Sequence, residues 1–327
     1  MITKGRRFQG LEIDQCISIG MVGRVKFFQN LLMAGVLILY STGLAGAEAQ
    51  GMRSMIDPTG RTVQVPRSPR RVVSLAPSVT ETVFALKRGN RLVGVTRFCN
   101  YPPEAQKLPN VGTYVHLDVE RIVALQPDVC IAVKDGNPLA VVEQLQAMGI
   151  AVFAVNPMDL ETVMQSVLAI GDLLQATETA QTLVADMRQR IARVEARVAG
   201  ARTRPRVFFQ IGISPIVSVG DHTFIHTLIG LAGGVNVAAG DNPYPRFSVE
   251  QVIGAAPEVI VISSMAREAV FERVKADWMQ WPVIPAVRDQ RIFIAPPDLF
   301  DRPSPRLVEA LELLAGYIHP ELSEARP

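Results

Sequence analysis

Two widely separated stretches of the chain carry nearly the same pattern: VERIVALQPDVCIAV from Val119 to Val133, and VEQVIGAAPEVIVIS from Val249 to Ser263. Val, Glu, Pro and Val coincide, and most other positions exchange like for like. In each copy a Glu opens a short apolar helical pattern, Pro-Asp or Pro-Glu breaks it, and a β-rich apolar run follows. A chain built from two copies of one such unit must bury two similar faces, so two related lobes are expected. At 327 residues the chain also exceeds what a single core usually holds.

The same grammar extends around both copies. In the first lobe, Arg71 to Leu75 reads as a strand, Glu81 to Leu86 as a helix stopped by Gly89, and Leu92 to Val95 as a strand. Val119 to Leu125 (helix), Val129 to Val133 (strand), Leu139 to Met148 (helix) and Ile150 to Val155 (strand) complete it. Tightly alternating strands and helices imply a parallel α/β sheet. Before it, Asp57-Pro58-Thr59-Gly60 marks the turn of an edge hairpin. From Asp159 to about Ala199 the pattern turns purely helical, with Leu183, Val184, Met187, Ile191, Val194 and Val198 on one apolar stripe and Arg188, Arg190, Arg193, Glu195 and Arg197 on a solvated face. After Pro205 the second lobe follows, with strands at Val207–Ile211, Val259–Ile262 and Arg291–Ile294 and helices at Ile225–Leu231, Val249–Ala255 and Leu307–Ile318. The domain reading is therefore 1–49 leader, 50–157 first α/β lobe, 158–203 helical connection and 204–327 second lobe. A helical link is stiffer than a Gly/Ser linker, so hinge opening is expected to be small.

The amino-terminal segment indicates export. Arg24 and Lys26 precede an apolar run from Leu31 to Tyr40, and small residues follow to Ala49, with A-x-A patterns at 45–47 and 47–49. The run is shorter than a membrane span needs. Met21 sits at a natural start for such a signal, which leaves residues 1–20 open to being an upstream extension. No Cys ends the apolar run, so no lipid anchor is expected there, and the mature chain should be soluble and periplasmic. Of the cysteines, Cys16 precedes the signal, while Cys99 and Cys130 are open to either a disulfide or two buried thiols.

Charge excludes more than it suggests. Lys+Arg 33 against Asp+Glu 31 offers no field for nucleic acid. The four histidines supply little for catalysis. His222 and His226 have i,i+4 spacing, but no Glu completes an H-E-x-x-H pattern, and a solvated helix start accounts for them. His116 reads as a polar loop residue, with axial coordination of a bound metal as the sharper alternative. The glycines of Gly230-Leu231-Ala232-Gly233-Gly234 follow a helix rather than opening one, so they cradle no phosphate. No catalytic residues, resident cofactor or metal site are assigned.

Glu120 and Glu250, each in a first helical turn, are explained singly by the helix macrodipole. As a repeated pair they would place two exposed carboxylates on one rim, where a two-fold symmetric partner offering an Arg from each subunit could hold both.

The segments RRVVSLAPSVTET (Arg70–Thr82), LVGVTRFCNYPPEAQKLPNVGTY (Leu92–Tyr114), the first repeat, RVFFQIGISP (Arg206–Pro215), LAGGVNV (Leu231–Val237) and DLFDRPSPRLVEAL (Asp298–Leu311) resemble the class III periplasmic substrate-binding proteins of ABC importers, most closely the cobalamin-binding members. The resemblance spans nearly all of the mature chain. It implies two Rossmann-like lobes with central parallel sheets joined by one long α-helix, as in helical-backbone metal-chelate receptors. A corrinoid such as cobalamin would be held between the lobes and delivered by a monomer to a permease dimer with its ATPase subunits. By the same resemblance, Phe98, Tyr114 and Tyr244 carry the cleft aromatics, Asp298 and Arg302 its last polar loop, and Glu120 and Glu250 meet permease arginines. Positions that hold Trp in relatives are Tyr114, Tyr244, Val133 and Leu299 here, implying a less aromatic pocket. Haem or a ferric siderophore is the alternative cargo, and a periplasmic enzyme or sensor reusing the fold is the remaining one.

Overall fold

The computed structural model describes residues 51–263 and 269–322. The expected export signal, its cleavage site and Cys16 lie outside the described residues. The body opens with a hairpin of β1 (Met52–Ile56) and β2 (Thr62–Pro66), paired antiparallel. Its turn is organised by Asp57, whose Oδ1 accepts from Thr59 N and Arg61 N, and whose Oδ2 accepts from Arg61 Nη2 at 2.8 Å and from Ala154 N at 3.2 Å. Burial pushes this carboxyl up, but the donors from Thr59, Arg61 and Ala154 outweigh it and hold Asp57 below its ordinary value. One buried carboxylate thereby fixes the turn and ties the hairpin to the first lobe.

That lobe contains β3 (Val72–Ser74), α1 (Pro77–Ala85), β4 (Leu92–Gly94), α2 (Val119–Ala124), β5 (Val129–Val133), α3 (Leu139–Ala147) and β6 (Ala151–Val155). The strands pair in parallel in the order β4-β3-β5-β6. β5 is buried along its whole length, as a strand covered on both faces must be. Its side chains alternate: Val129, Ile131 and Val133 join the larger core with Val72, Phe153 and α1, whereas Cys130 and Ala132 join Ile122, Val142 and Leu145 beneath α2 and α3.

The connection is two helices, α4 (Leu160–Leu173) and α5 (Thr177–Val198), broken at Gln175, which has φ 53°. Asp159 caps α4 by accepting from Thr162 N. Gly171 lets the two helices touch, because a Cβ there would lie 2.4 Å from that of Ala180. The stripe expected on α5 is the packed one: Val184, Met187 and Val194 are buried, and Leu183, Ile191 and Val198 pack against the same core. The opposite face is not wholly solvated as expected. Arg190 makes a two-pronged pair with Glu312, Nε to Oε1 at 2.9 Å and Nη2 to Oε2 at 2.7 Å, pinning α5 to the second lobe.

The second lobe contains β7 (Arg206–Gly212), β8 (Ile216–Ser218), α6 (Phe224–Leu231), β9 (Val235–Asn236), β10 (Arg246–Phe247), α7 (Val249–Ala255), β11 (Val259–Ile262), α8 (Ala269–Met279), α9 (Pro285–Arg288), β12 (Ile292–Ile294), α10 (Pro297–Phe300) and α11 (Leu307–Ile318). Its sheet runs β10-β8-β7-β11-β12, with β9 also on β7. Strands β9, β7, β11 and β12 are mutually parallel, while β8 and β10 add an antiparallel edge. Alternation divides this sheet too: Val207, Phe209, Val259 and Val261 face the core shared with the first lobe, and Phe208, Ile260 and Ile262 face Trp278, Ile284 and Ile292. A single hydrophobic cluster therefore runs through α4, α5 and α11 and serves both sheets.

The sequence repeat is a repeat of structure. Asp118 caps α2 and Ser248 caps α7, each accepting from the backbone N–H three residues on. Both helices end through a left-handed residue, Gln126 at φ 46° and Ala256 at φ 43°. Asp128 then accepts from Arg70 N and Arg71 N at the entry to β3, and Glu258 from Arg206 N at the entry to β7. The acidic residue after each proline thus starts the neighbouring strand.

Candidate ligand cleft

The loops that leave the carboxyl ends of β3, β4, β5 and β6 face those from the second lobe across a cavity of about 990 Å³. This is where an open α/β sheet exposes the backbone turns that can meet a ligand. Ala76, Pro77 and Ser78 at the start of α1, Arg97, Phe98, Asn100 and Tyr114 between β4 and α2, Asp135 and Gly136 after β5, and Asn156 to Met158 after β6 contribute wall residues from the first lobe. His222 to Phe224, Tyr244, Phe271 and the turn around α10 contribute from the second.

Phe98, Tyr114, Tyr244, Asp298 and Arg302 all belong to this wall. Phe98 and Tyr244 are 48% and 57% exposed, so large aromatic surfaces stand ready for cover. Tyr114 lies against Gly136, where a Cβ would sit 3.2 Å from the ring, and its carbonyl accepts from Asn137 Nδ2 at 2.8 Å. Asn137 also donates to Leu75 O and accepts from Val133 N, tying the Tyr114 loop to the ends of β3 and β5. Tyr244 is set by an Asx turn in which its N–H donates to Asn242 Oδ1. Partial burial, then Asp135 and Tyr114, push its phenol above the ordinary value, so the two tyrosines and Asp135 share one region of the wall. Of Val133 and Leu299, the first lines the cavity, whereas the second packs against the core.

Arg302 also bridges the two lobes. Nη1 reaches Glu81 Oε1 at 2.9 Å and Asn100 Oδ1 at 2.7 Å, Nη2 donates to Phe98 O at 3.0 Å, and Asp298 pairs with it from the same turn. Asn100 Nδ2 donates to Asp298 Oδ2 at 2.7 Å. Glu81 also accepts from Ser304 Oγ at 2.6 Å and lies 3.8 Å from Arg306 Nη1. The guanidinium of Arg306 stacks on Tyr101, 3.7 Å from the ring centroid. These contacts join the lobes beside the cavity. Burial pushes the Glu81 carboxyl above its ordinary value despite Ser304, Arg302 and Arg306. Sequence reading missed Glu81 because its partners lie more than 200 residues away; its place as the one charged residue of α1 was the available signal.

Glu120 and Glu250 are exposed in the first turns of α2 and α7. The Ser248 hydroxyl and the first-turn backbone lower the Glu250 carboxyl. His222 does not share a helical face with His226: it precedes the Thr223 cap, has φ 62° and lines the cavity, while His226 lies inside α6 with Nδ1 3.2 Å from Asn236 Nδ2 and 3.2 Å from Asp221 Oδ1. Among the described residues no group of three or more His, Cys, Asp or Glu could hold a metal ion, and His116 is exposed in its loop. Cys99 and Cys130 are buried free thiols, the first engaged by Thr80 and Thr96, the second pushed up to about 12 by burial.

Residues 72–299 match the family model described as periplasmic binding protein. A vitamin B12-binding protein of Yersinia pestis is 33% identical over 245 residues, covering 75% of this chain and 84% of the relative. The crystal structure of a periplasmic vitamin B12 binding protein of Vibrio cholerae superposes with TM-score 0.68 at 29% identity, covering 79% of this chain and 100% of that one. A periplasmic heme binding protein from Pseudomonas aeruginosa superposes with TM-score 0.71 at 28% identity, covering 79% and 95%. With the fold, the repeat and the interlobe cavity in agreement, the chain belongs to the periplasmic binding protein family.

Proposed function

We propose that this chain captures cobalamin or a related corrinoid between its lobes and hands it to an ABC permease. The observation that carries the reading is the cavity itself. At about 990 Å³ it stands at the upper end of the roughly 300–1,000 Å³ usual for ligand pockets, and it is edged by exposed aromatics from both lobes. A large, flat, partly apolar cargo covers Phe98, Tyr114 and Tyr244 at little entropic cost, because aromatic side chains have few rotamers to lose. Asp298 and Arg302 supply the polar end. Haem is the second reading, favoured by the likeness to the P. aeruginosa heme binding protein.

In this reading residues 50–157 and 204–327 are the lobes and 158–203 the helical connection. Residues 1–49 are the leader that exports the chain to the periplasm as a soluble monomer. Glu120 and Glu250 dock on arginines of the permease dimer, and the partner's ATPase subunits drive release. The exposure of both carboxylates at matching places in the repeat supports this. Titration with cyanocobalamin, cobinamide and hemin tests the cargo: saturable one-to-one corrinoid binding without turnover is expected, and binding of hemin alone would transfer the assignment to haem.

A further inference from the structure

Beyond β4 the chain turns over residues 96–99, and both ends of that turn are anchored. Thr96 and Cys99 are buried, the Cys99 thiol is engaged by the hydroxyls of Thr80 and Thr96, and Cys99 N donates to Thr96 O at 3.1 Å. Between them Arg97 N donates to Gly112 O at 2.7 Å, and Phe98 O accepts from Arg302 at 3.0 Å. The fixed backbone leaves Arg97 and Phe98 exposed on the cavity wall. Phe98 is the apolar half of that pair; Arg97 is a cation whose guanidinium makes no hydrogen bond or ion pair among the described residues and lies 5.9 Å from the Phe98 ring centroid, at the limit of a cation–π contact. The other guanidinium of the wall, Arg302, is spent on Glu81, Asn100, Phe98 O and Asp298. The acids of the wall are placed elsewhere. Asp298 is held by Arg302 and Asn100, and Asp135 lies toward Tyr244. Asp301 accepts from Ser263 Oγ at 3.0 Å, and burial first, with Asp298 adding to it against Ser263 and Arg302, pushes its carboxyl up to about 6.

We infer that Arg97 receives the phosphodiester in the nucleotide loop of a complete corrinoid, and so separates complete corrinoids from those that lack the loop. The inference rests on the corrinoid reading. The amides around a corrin ring are neutral, which leaves the phosphodiester as the peripheral anion of cyanocobalamin. A guanidinium presents parallel N–H donors that match two oxygens of a phosphate group. Exposure in the empty cleft does not weaken the contact, because a cargo resting on Phe98 also covers the neighbouring Arg97 and displaces the water that would screen the pair. The charge is ready without rearrangement: the turn that carries it is pinned at Thr96, Arg97 N and Cys99, and no internal partner has to be released first.

The test compares cyanocobalamin with dicyanocobinamide, which keeps the corrin ring and lacks the nucleotide loop, on the purified full-length chain and on Arg97→Gln and Arg97→Lys, by titration at low and high salt. A hydrogen bond to a charged group corresponds to about tenfold or more in affinity. The native chain should prefer cyanocobalamin by about that factor. Arg97→Gln should close most of the gap, and Arg97→Lys, which keeps the charge but not the paired donors, should close less of it. The benzimidazole base leaves with the loop, and salt separates its share from that of the phosphate: the part of the preference carried by charge shrinks as ionic strength rises, and an apolar part does not. The salt series on the native chain needs no variant, so it decides the matter even if Arg97→Gln does not fold. Corrinoid binding with no preference between the two ligands, or with a preference that survives both salt and Arg97→Gln, would overturn the role of Arg97 alone. Failure to bind either corrinoid would overturn both this and the cargo reading.

Discussion

Glu81→Ala removes the carboxylate at the centre of the contacts that join the lobes. The Glu81 side chain is 2% exposed and that of Arg302 12%, so neither charge is rescued by water when its partner disappears. The variant deletes the 2.9 Å bond to Arg302 and the 2.6 Å bond from Ser304, and leaves Arg306 without its nearest buried anion. Breaking a buried pair by removing one partner costs about 3–5 kcal/mol, chiefly because the remaining charge is stranded. At about 2 °C per kcal/mol for a domain of this size, the apparent Tm should fall by roughly 6–10 °C. Glu81→Gln keeps the shape and one acceptor and should lose less than half as much. Replacing both partners, as Glu81→Leu with Arg302→Met, should recover much of the loss, because the net contribution of a buried pair is small even when breaking it is costly. Calorimetric unfolding of the four proteins measures this. A Tm within 2 °C of the native chain for Glu81→Ala would refute the view that this seam holds the lobes together.

Other outcomes follow from the same geometry. Asp301→Asn should stabilise the unliganded chain at pH 7.5. A group raised from 3.8 to about 6 contributes stability that is complete below its unfolded value and lost as pH rises through about 6, and at 1.36 kcal/mol per pH unit that loss is about 3 kcal/mol. A melting temperature for the variant no higher than native at pH 7.5, or a gap that does not shrink toward pH 4, would contradict it. Tyr244→Ala should weaken corrinoid binding by about tenfold, the cost of losing a stacked aromatic, with unchanged calorimetric affinity removing it from the site. Glu120→Ala with Glu250→Ala should leave affinity nearly unchanged while abolishing uptake in a transport assay; normal uptake would end the docking proposal.

How much of this was legible in sequence depends on the range over which each feature is determined. The repeat is local, so its helices, breaks and strands were readable, and Val249–Ala255, Val259–Ile262 and Leu307–Ile318 match the observed elements. The α5 stripe was readable because it recurs over 22 residues. β8, β9 and β10 were not, because two or three residues show no period. α8 was missed although Phe271, Val274 and Trp278 form a helical stripe. The expected break at Gly89 was misplaced: α1 ends at Ala85, and Lys87 turns left-handed first, at φ 57°. In the cleft, the aromatics and the Asp298 and Arg302 pair came through the family resemblance. Glu81 and Asp301 did not, because their meaning arises only when distant segments remove water from them.

The account turns on what fills the cavity. Isothermal titration of the purified chain with cyanocobalamin at pH 7.5 addresses it most directly. One site per chain, saturating without chemical change of the corrinoid and weakened by Tyr244→Ala, is the predicted result. An absence of heat and of any spectral change, beside saturable binding of hemin, would contradict it.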